Sequence, residues 1–333
     1  MPGKKLTAAV ERAWYQGAPW LPLLYPFGYL TGWEARRRLR RFRRLNPRPP
    51  VPLLVVGNIS VGGTGKTPMV IALCEYFQRQ GKRVAVISRG YGARPASYPW
   101  HVTAEQSADD AGDEPLLIHR RTDAPVVIDP KRQRALDAVL AQGDVDLVIS
   151  DDGLQHYALP RTVEVIMLDA ERGLGNGRCL PAGPLREPAA RLAEADYLVV
   201  NGRPSEQWPL ATVMVLQADD PVNLKSGRSM PMEDFAVRYP LVHAFAGIGN
   251  PQRFFSALSA WDIRVTGHPM ADHHHYQADD FTGLAGQTVI MTEKDAVKCA
   301  DLATEDFWYL PVSARLPTIF FENLQYRLFG ADG

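Results

Sequence analysis

The sequence predicts an α/β fold: a layered domain with a mostly parallel sheet, joined to a smaller C-terminal α/β domain. Three observations predict it. From residue 51 onward short β-rich runs alternate with helix-length stretches; several of those runs are largely apolar, as strands covered on both faces are; and a glycine-rich turn sits directly after the first run and leads into a helix. A length of 333 residues suits about two domains, and 46% apolar residues supply their cores.

The first series of runs falls at 52–56, 83–88, 125–128, 145–150, 163–168, 197–201 and 213–216. The helix after the first of them, over 69–80, puts Val70, Leu73, Cys74 and Phe77 on one face. A second series falls at 241–246, 263–266, 288–291 and 308–310, again with helix-length segments such as 251–260 between strands. The polar stretch 219–238, with Pro221, Gly227 and Pro231, reads as the join. The expected organisation is therefore an N-terminal segment over 1–48, a first α/β domain over 49–218 and a smaller one over 219–333 that closes over an interdomain cleft, where ligands tend to bind. No internal repeat or low-complexity tract interrupts this pattern.

Charge is balanced overall, 37 basic against 37 acidic residues, and only 22% of residues are charged. That excludes a disordered polyelectrolyte and a generally basic nucleic-acid binder. The balance hides a gradient. Through Arg48 there are eleven Lys or Arg against Glu11 and Glu34, a net of +9, and the remainder is −9. Residues 13–33 carry no formal charge, but Pro19, Pro22, Pro26, Gly17, Gly28 and Gly32 argue against a spanning helix. What is enriched is the interfacial class, Trp14, Tyr15, Trp20, Tyr25, Phe27, Tyr29 and Trp33, followed at once by the arginine cluster 36–44. Leu39, Phe42 and Leu45 recur among the arginines at helical spacing, which predicts a short basic helix lying on an anionic membrane surface. The alternative is that these aromatics pack under the first domain. Cys74, Cys179 and Cys299 form no CxxC or Cys/His pattern, so a reducing cytosol is expected, and no secretory signal is readable.

The turn after the first strand reads GNISVGGTGKTP, and Ser60, Val61, Gly62, Gly63, Thr64, Gly65, Lys66 and Thr67 match the GxxxxGK[ST] template except for Ser60 in place of the first glycine. The glycines let consecutive amides turn inward, and the helix begins at the same place, so amides and helix N-terminus together form an anion nest. Lys66 can reach the β- and γ-phosphates, and the Thr67 hydroxyl is placed to ligate Mg²⁺. A nucleotide site also needs an acidic residue at the end of a neighbouring strand, and the run 145–150 ends in Asp151 and Asp152. Two adjacent carboxylates there favour a cationic ligand or donor.

A guanine-nucleotide switch is disfavoured because the nearest text to its base-recognition motif, TEKD at 292–295, has the wrong spacing. Small-molecule or lipid phosphoryl transfer remains, and the N-terminal segment points to lipid. Such a transfer needs a carboxylate near the acceptor. Asp113 and Glu114 in AGDEP are candidates, although they also suit a helix start. The DHHHY run, 272–276, has no zinc-ligand spacing, and adjacent side chains diverge; one of its histidines paired with a carboxylate across the cleft is the more economical use.

Taken together, GNISVGGTGKTP, SRGYG (88–92), AGDEP, SDDGLQH (150–156), LPAGPLREP (180–188), DHHHY and TEKDAVK (292–298) resemble, in order and over most of the chain, the tetraacyldisaccharide 4'-kinases of lipid A biosynthesis. The resemblance implies a P-loop NTPase-like fold. It implies ATP and Mg²⁺ as cofactors and phosphorylation of the 4'-hydroxyl of an acylated glucosamine disaccharide 1-phosphate. It further implies a peripheral place on the cytoplasmic face of a bacterial inner membrane, with neither nucleic acid nor an obligate protein partner. By the same resemblance Asp113 is the catalytic base and His273 its partner, Lys66 and Thr67 carry the phosphate and Mg²⁺ roles, and Asp151 and Asp152 serve the metal and the reacting phosphates. Arg132, Glu187 and Arg89 are implied around the reaction centre. The competing class is a P-loop ATPase or metallochaperone with the histidines as cargo site; a membrane scaffold is a third.

Overall fold

The computed structural model describes residues 2–45 and 48–330, with side chains from Ala9 onward. The extreme ends of the expected 1–48 and 219–333 segments, Asn46 and Pro47, and the side chains of Lys4 and Lys5 lie outside the described residues. Fourteen strands are found among the described residues: β1 Leu53–Asn58, β2 Val84–Ser88, β3 Trp100–Val102, β4 Val126–Ile128, β5 Leu147–Asp151, β6 Val163–Asp169, β7 Tyr197–Asn201, β8 Thr212–Ala218, β9 Val222–Asn223, β10 Leu241–Ala246, β11 Arg264–Pro269, β12 Val289–Thr292, β13 Phe307–Leu310 and β14 Val312–Arg315. The helices are α1 Pro2–Gln16, α2 Tyr25–Leu45, α3 Lys66–Arg79, α4 Ala108–Ala111, α5 Asp113–Thr122, α6 Arg132–Ala141, α7 Met232–Arg238, α8 Pro251–Ser259, α9 Glu293–Ala296 and α10 Thr318–Phe329. All eleven expected runs are strands. The short β3, β9 and β14 were not expected.

Contacts divide the chain into two units, residues 1–87, 143–215 and 316–333 in one, and 88–142 with 216–315 in the other. The first unit is built on parallel strands in the order β8-β7-β6-β1-β5-β2. All six residues of β1 are buried, which explains its unbroken apolar run. The register sets Val56 of β1 beside Asp151 of β5, so the turn after β1 and the Asp151–Asp152 pair leave the sheet at adjacent carboxyl ends, where ligands bind in such sheets. The second unit has a parallel series β11-β10-β12-β13 with the short β9 antiparallel at its edge, and separately the antiparallel pair β3 and β4. Its core packs Phe235, Phe254, Phe255, Leu258 and Trp308 on one side of the sheet.

This division differs from the expected boundary at 218/219 in two places. Residues 88–142 belong with the second unit because α5 is tied to α9 by ion pairs, Arg121 to Glu293 at 2.8 Å and Lys294 to Glu114 at 2.9 Å. The C-terminal α10 belongs with the first: Phe321 stacks on Tyr76 at 4.7 Å between ring centroids, and Gln325 accepts a hydrogen bond from the Tyr76 hydroxyl.

The N-terminal segment is more helical than expected, since α2 runs for 21 residues straight through Gly28 and Gly32. Those glycines are buried on the face that meets the loop 177–188: a β-carbon on Gly28 would lie 2.9 Å from the Cys179 carbonyl oxygen. Close backbone approach is thus what the glycines permit. The aromatics divide between buried and exposed positions. Trp14 is buried and donates to the Pro181 carbonyl, whereas Phe27, Tyr29, Leu30 and Trp33 stand exposed on α2. No helix of the described residues is long and apolar enough to cross a membrane.

Candidate functional site

The phosphate loop and its partners lie in the first unit. Gly62 and Gly65 take φ of 103° and 83°, backbone that side chains rarely adopt, and Gly65 is the residue from which α3 starts. A β-carbon on Gly65 would sit 2.7 Å from Asn201 Nδ2, while at Gly63 it would meet open space. The turn is therefore pinned on one side and open on the other, and the first amides of α3 have no capping side chain. That is the form of an anion cradle at a helix N-terminus, and it fits a polyphosphate. Thr64 is buried, with its carbonyl accepting from Asn201 Nδ2, and Ser60 and Val61 are held by the LPAGPLREP segment through a bridge to Leu185 and a hydrogen bond to the Pro184 carbonyl.

Lys66 extends back over the turn. Its ammonium donates to Asn58 Oδ1 at 3.2 Å and lies 3.6 Å from Asp152 Oδ1. Arg186 bridges both Asp152 oxygens at 3.0 and 3.2 Å. Gln155 donates to the Asn58 carbonyl and to Glu187, and Glu187 also takes the Tyr157 hydroxyl and pairs with Arg191. Asp151 is 1% exposed at the end of β5, and Thr67 is half-buried in the first turn of α3. A carboxylate at the end of β5 and a hydroxyl in the first turn of α3 are the hard oxygen donors that Mg²⁺ takes, so the chemistry of these two residues fits it.

A separate group of candidate residues lies in the second unit. Asp113 opens α5 and is 5% exposed; His273 Nδ1 approaches its two oxygens at 2.9 and 3.1 Å. Burial alone would raise the Asp113 carboxyl, but the His273 hydrogen bond and the Lys294 charge overcome it and hold the group below the usual carboxylate range. The same bond raises His273 above an ordinary histidine against the opposing effect of burial. The Tyr91 ring packs on His273, 4.9 Å between centroids. A cavity of about 520 Å³ opens beside the pair, lined among others by Tyr91, Arg94, Asp109 and Lys298. Asp152 and His273 share an unusual feature: both are non-glycine residues in left-handed backbone, at φ of 47° and 56°. Backbone strain of this kind collects at functional sites.

The three histidines diverge. His273 meets Asp113, His274 meets Asp280 at 3.0 Å, and His275 meets Asp109 at 3.0 Å. Among the described residues no group of three or more His, Cys, Asp or Glu is placed to hold a metal ion. Of the other expected residues, Glu187 is buried in the ion-pair network just described, Arg132 is buried with Nη1 on the Asp129 carbonyl, and Arg89 is exposed. Asn58, Gln155, Tyr91, Arg186 and Lys294 carry no expectation from spacing. Their only signal is membership of the quoted motifs or immediate adjacency to them.

Residues 20–328 match the family described as tetraacyldisaccharide-1-P 4'-kinase. A tetraacyldisaccharide 4'-kinase of Alcanivorax borkumensis is 52% identical over 98% of this chain and 99% of its own length. One of Pseudomonas aeruginosa is 52% identical over 91% of each chain. Among solved structures, LpxK from Aquifex aeolicus in complex with ATP superposes with a TM-score of 0.74 at 27% identity, covering 93% of this chain and 99% of that one.

Proposed function

The chain belongs to the tetraacyldisaccharide-1-phosphate 4'-kinase family, and on that premise we propose how its own residues transfer a phosphoryl group from ATP to the 4'-hydroxyl of a tetraacyldisaccharide 1-phosphate, a step of lipid A biosynthesis. The phosphate loop, Ser60 to Thr67, binds the triphosphate with its amides, and Lys66 neutralises charge on the β- and γ-phosphates. Asn58 and Asp152 keep the lysine extended in readiness, and Arg186 keeps Asp152 from collapsing onto it. Thr67 and Asp151 are the residues that would hold Mg²⁺, which supplies further charge neutralisation when bound.

Asp113 takes the proton of the 4'-hydroxyl as that oxygen attacks the γ-phosphorus; the bond from phosphorus to the ADP oxygen breaks, leaving ADP and the 4'-phosphate. His273 orients the Asp113 carboxylate and shares its charge. In this reading the first unit is the nucleotide-binding domain and the second carries the acid–base pair. The exposed row Phe27, Tyr29, Leu30 and Trp33, next to the arginines of α2, supports a peripheral seat on an anionic membrane face, where the acyl chains of the substrate also reside.

The observation that carries the reading is the buried Asp113–His273 pair, a carboxylate kept ionised away from water with a cavity beside it. The test is transfer itself. Incubated with γ-labelled ATP and tetraacyldisaccharide 1-phosphate in mixed micelles, the protein places label in the lipid. Lipid-independent release of inorganic phosphate, with no labelled lipid, would instead mark an ATPase.

A further inference from the structure

We propose that Lys294 is a positioning residue for phosphoryl transfer: its ammonium gathers Asp113, Glu114 and Asp272 and so fixes the place and the negative charge of the carboxylate that receives the acceptor proton. This rests on the reading of Asp113 as the base. Spacing gives no sign of it, and the lysine stands out in the sequence only as a member of TEKDAVK. It sits in α9, a helix of a single turn. The Lys294 side chain is 16% exposed, and its ammonium lies 2.9 Å from Glu114 Oε1, 3.1 Å from Asp272 Oδ1 and 3.8 Å from Asp113 Oδ2.

Three carboxylates within reach of one ammonium come from two separate segments, the start of α5 and the residue before His273. Lys294 therefore ties together the two pieces of chain that supply the pair. Burial alone would lower a lysine, yet the surrounding carboxylates raise Lys294 well above its usual value, so it carries its charge throughout the working range. It acts on both members of the pair in one direction, lowering Asp113 and lowering His273.

The other charged groups facing this cluster are largely committed elsewhere. On α9, Glu293 is paired with Arg121 of α5, and Asp295 with Lys298 at 2.8 Å. Lys298 adds a weaker lowering of Asp113. On α4, Asp109 is taken by His275 and Asp110 by the Ser107 hydroxyl. Asp272 also stands 3.7 Å from His273 Nε2 and raises it. Removing Lys294 would leave Asp113, Glu114 and Asp272 without the ammonium they share, and Asp113 with only His273 and the weaker charge of Lys298 to offset its own. Like charges so placed push a carboxylate toward its neutral form.

The experiment follows the apparent pKa of the Asp113–His273 pair by NMR titration of the His273 ring, assigned with His273→Gln, in the full chain. Lys294→Met is expected to raise that pKa by about one unit and to lower kcat about tenfold with KM for ATP unchanged, and Lys294→Arg to restore both in large part. Glu114→Gln removes a negative charge and frees the lysine, so it is expected to shift the pKa the other way. This opposite sign keeps the test valid if Lys294→Met does not fold. A titration unmoved by both variants, or moved in one direction by both, overturns the proposal. Asp113→Asn is measured alongside: if it keeps full turnover, the base reading fails; if it is inactive while the His273 titration ignores Lys294, only the present inference fails.

Discussion

Asp113 is nearly removed from water yet held ionised, a state that persists only because His273 and Lys294 stand against it. Replacing Asp113 with Ala should lower turnover about a hundredfold or more, the usual scale for a general base. Nucleotide binding, which the proposal assigns to the loop of the other unit, should stay nearly unchanged when followed with a fluorescent ATP analogue. The same pair sets a pH window for stability. Asp113 is lowered from 3.8, so its contribution is full above that value and is lost as pH falls through the lower folded one. His273 is raised from 6.5, so its contribution is full below 6.5 and is lost as pH rises through the higher folded value. The urea stability difference between the wild type and His273→Gln should therefore be largest between 3.8 and 6.5 and shrink on both sides; a difference flat with pH would show that the pair contributes nothing. Asp113 and His273 were legible as residues because they sit in short motifs. Lys294, Asn58 and Arg186 lie in such motifs too, but their roles were not legible, because each depends on partners 8 to 180 positions away and no local spacing encodes such contacts.

At the scale of elements, the strands of the main sheets were readable because burial on both faces demands long apolar runs, as in β1, β5 and β12. The edge and bridging strands β3, β9 and β14 span only two to four residues, too few for any period to show. The length of α2 has a sharper cause. Proline and glycine lower intrinsic helix propensity, and on that ground residues 13–33 argue against a spanning helix, which agrees with the structure of the described residues; packing against the 177–188 loop nevertheless carries α2 through Gly28 and Gly32, since only glycine admits the backbone there. Gly28→Val should thus destabilise the protein even though valine has the better intrinsic propensity. Contact with backbone at 2.9 Å cannot be relieved by a rotamer change, and overpacking of this kind costs about 1–3 kcal/mol. Thermal unfolding reads the loss. An unchanged or higher midpoint would mean that α2 is not seated on that loop.

At the scale of the whole molecule, the charge gradient was legible from counting alone, whereas the domain plan was not: a chain that leaves one unit at residue 88 and returns at 143 gives no compositional break at either point. The gradient makes the widest claim open to test. A net charge of +9 through Arg48, next to four exposed apolar side chains on the same helix, should drive binding to anionic vesicles by two separable forces. Attraction to the lipid charge is screened over about 10 Å at 0.1 M salt, so raising salt should weaken binding to phosphatidylglycerol vesicles and leave a residual apolar component. Phe27→Ser, Leu30→Ser and Trp33→Ser together should remove that residual. If each side chain is half withdrawn from water on binding, it contributes about 1 kcal/mol, and the triple variant loses roughly a hundredfold in partition coefficient. Because these residues are 58%, 62% and 59% exposed, the fold itself should be unaffected, and turnover on a micellar substrate should survive. Equal binding of wild type and triple variant, or binding to neutral vesicles as strong as to anionic ones, would show that the aromatic and arginine-rich face serves something other than a membrane.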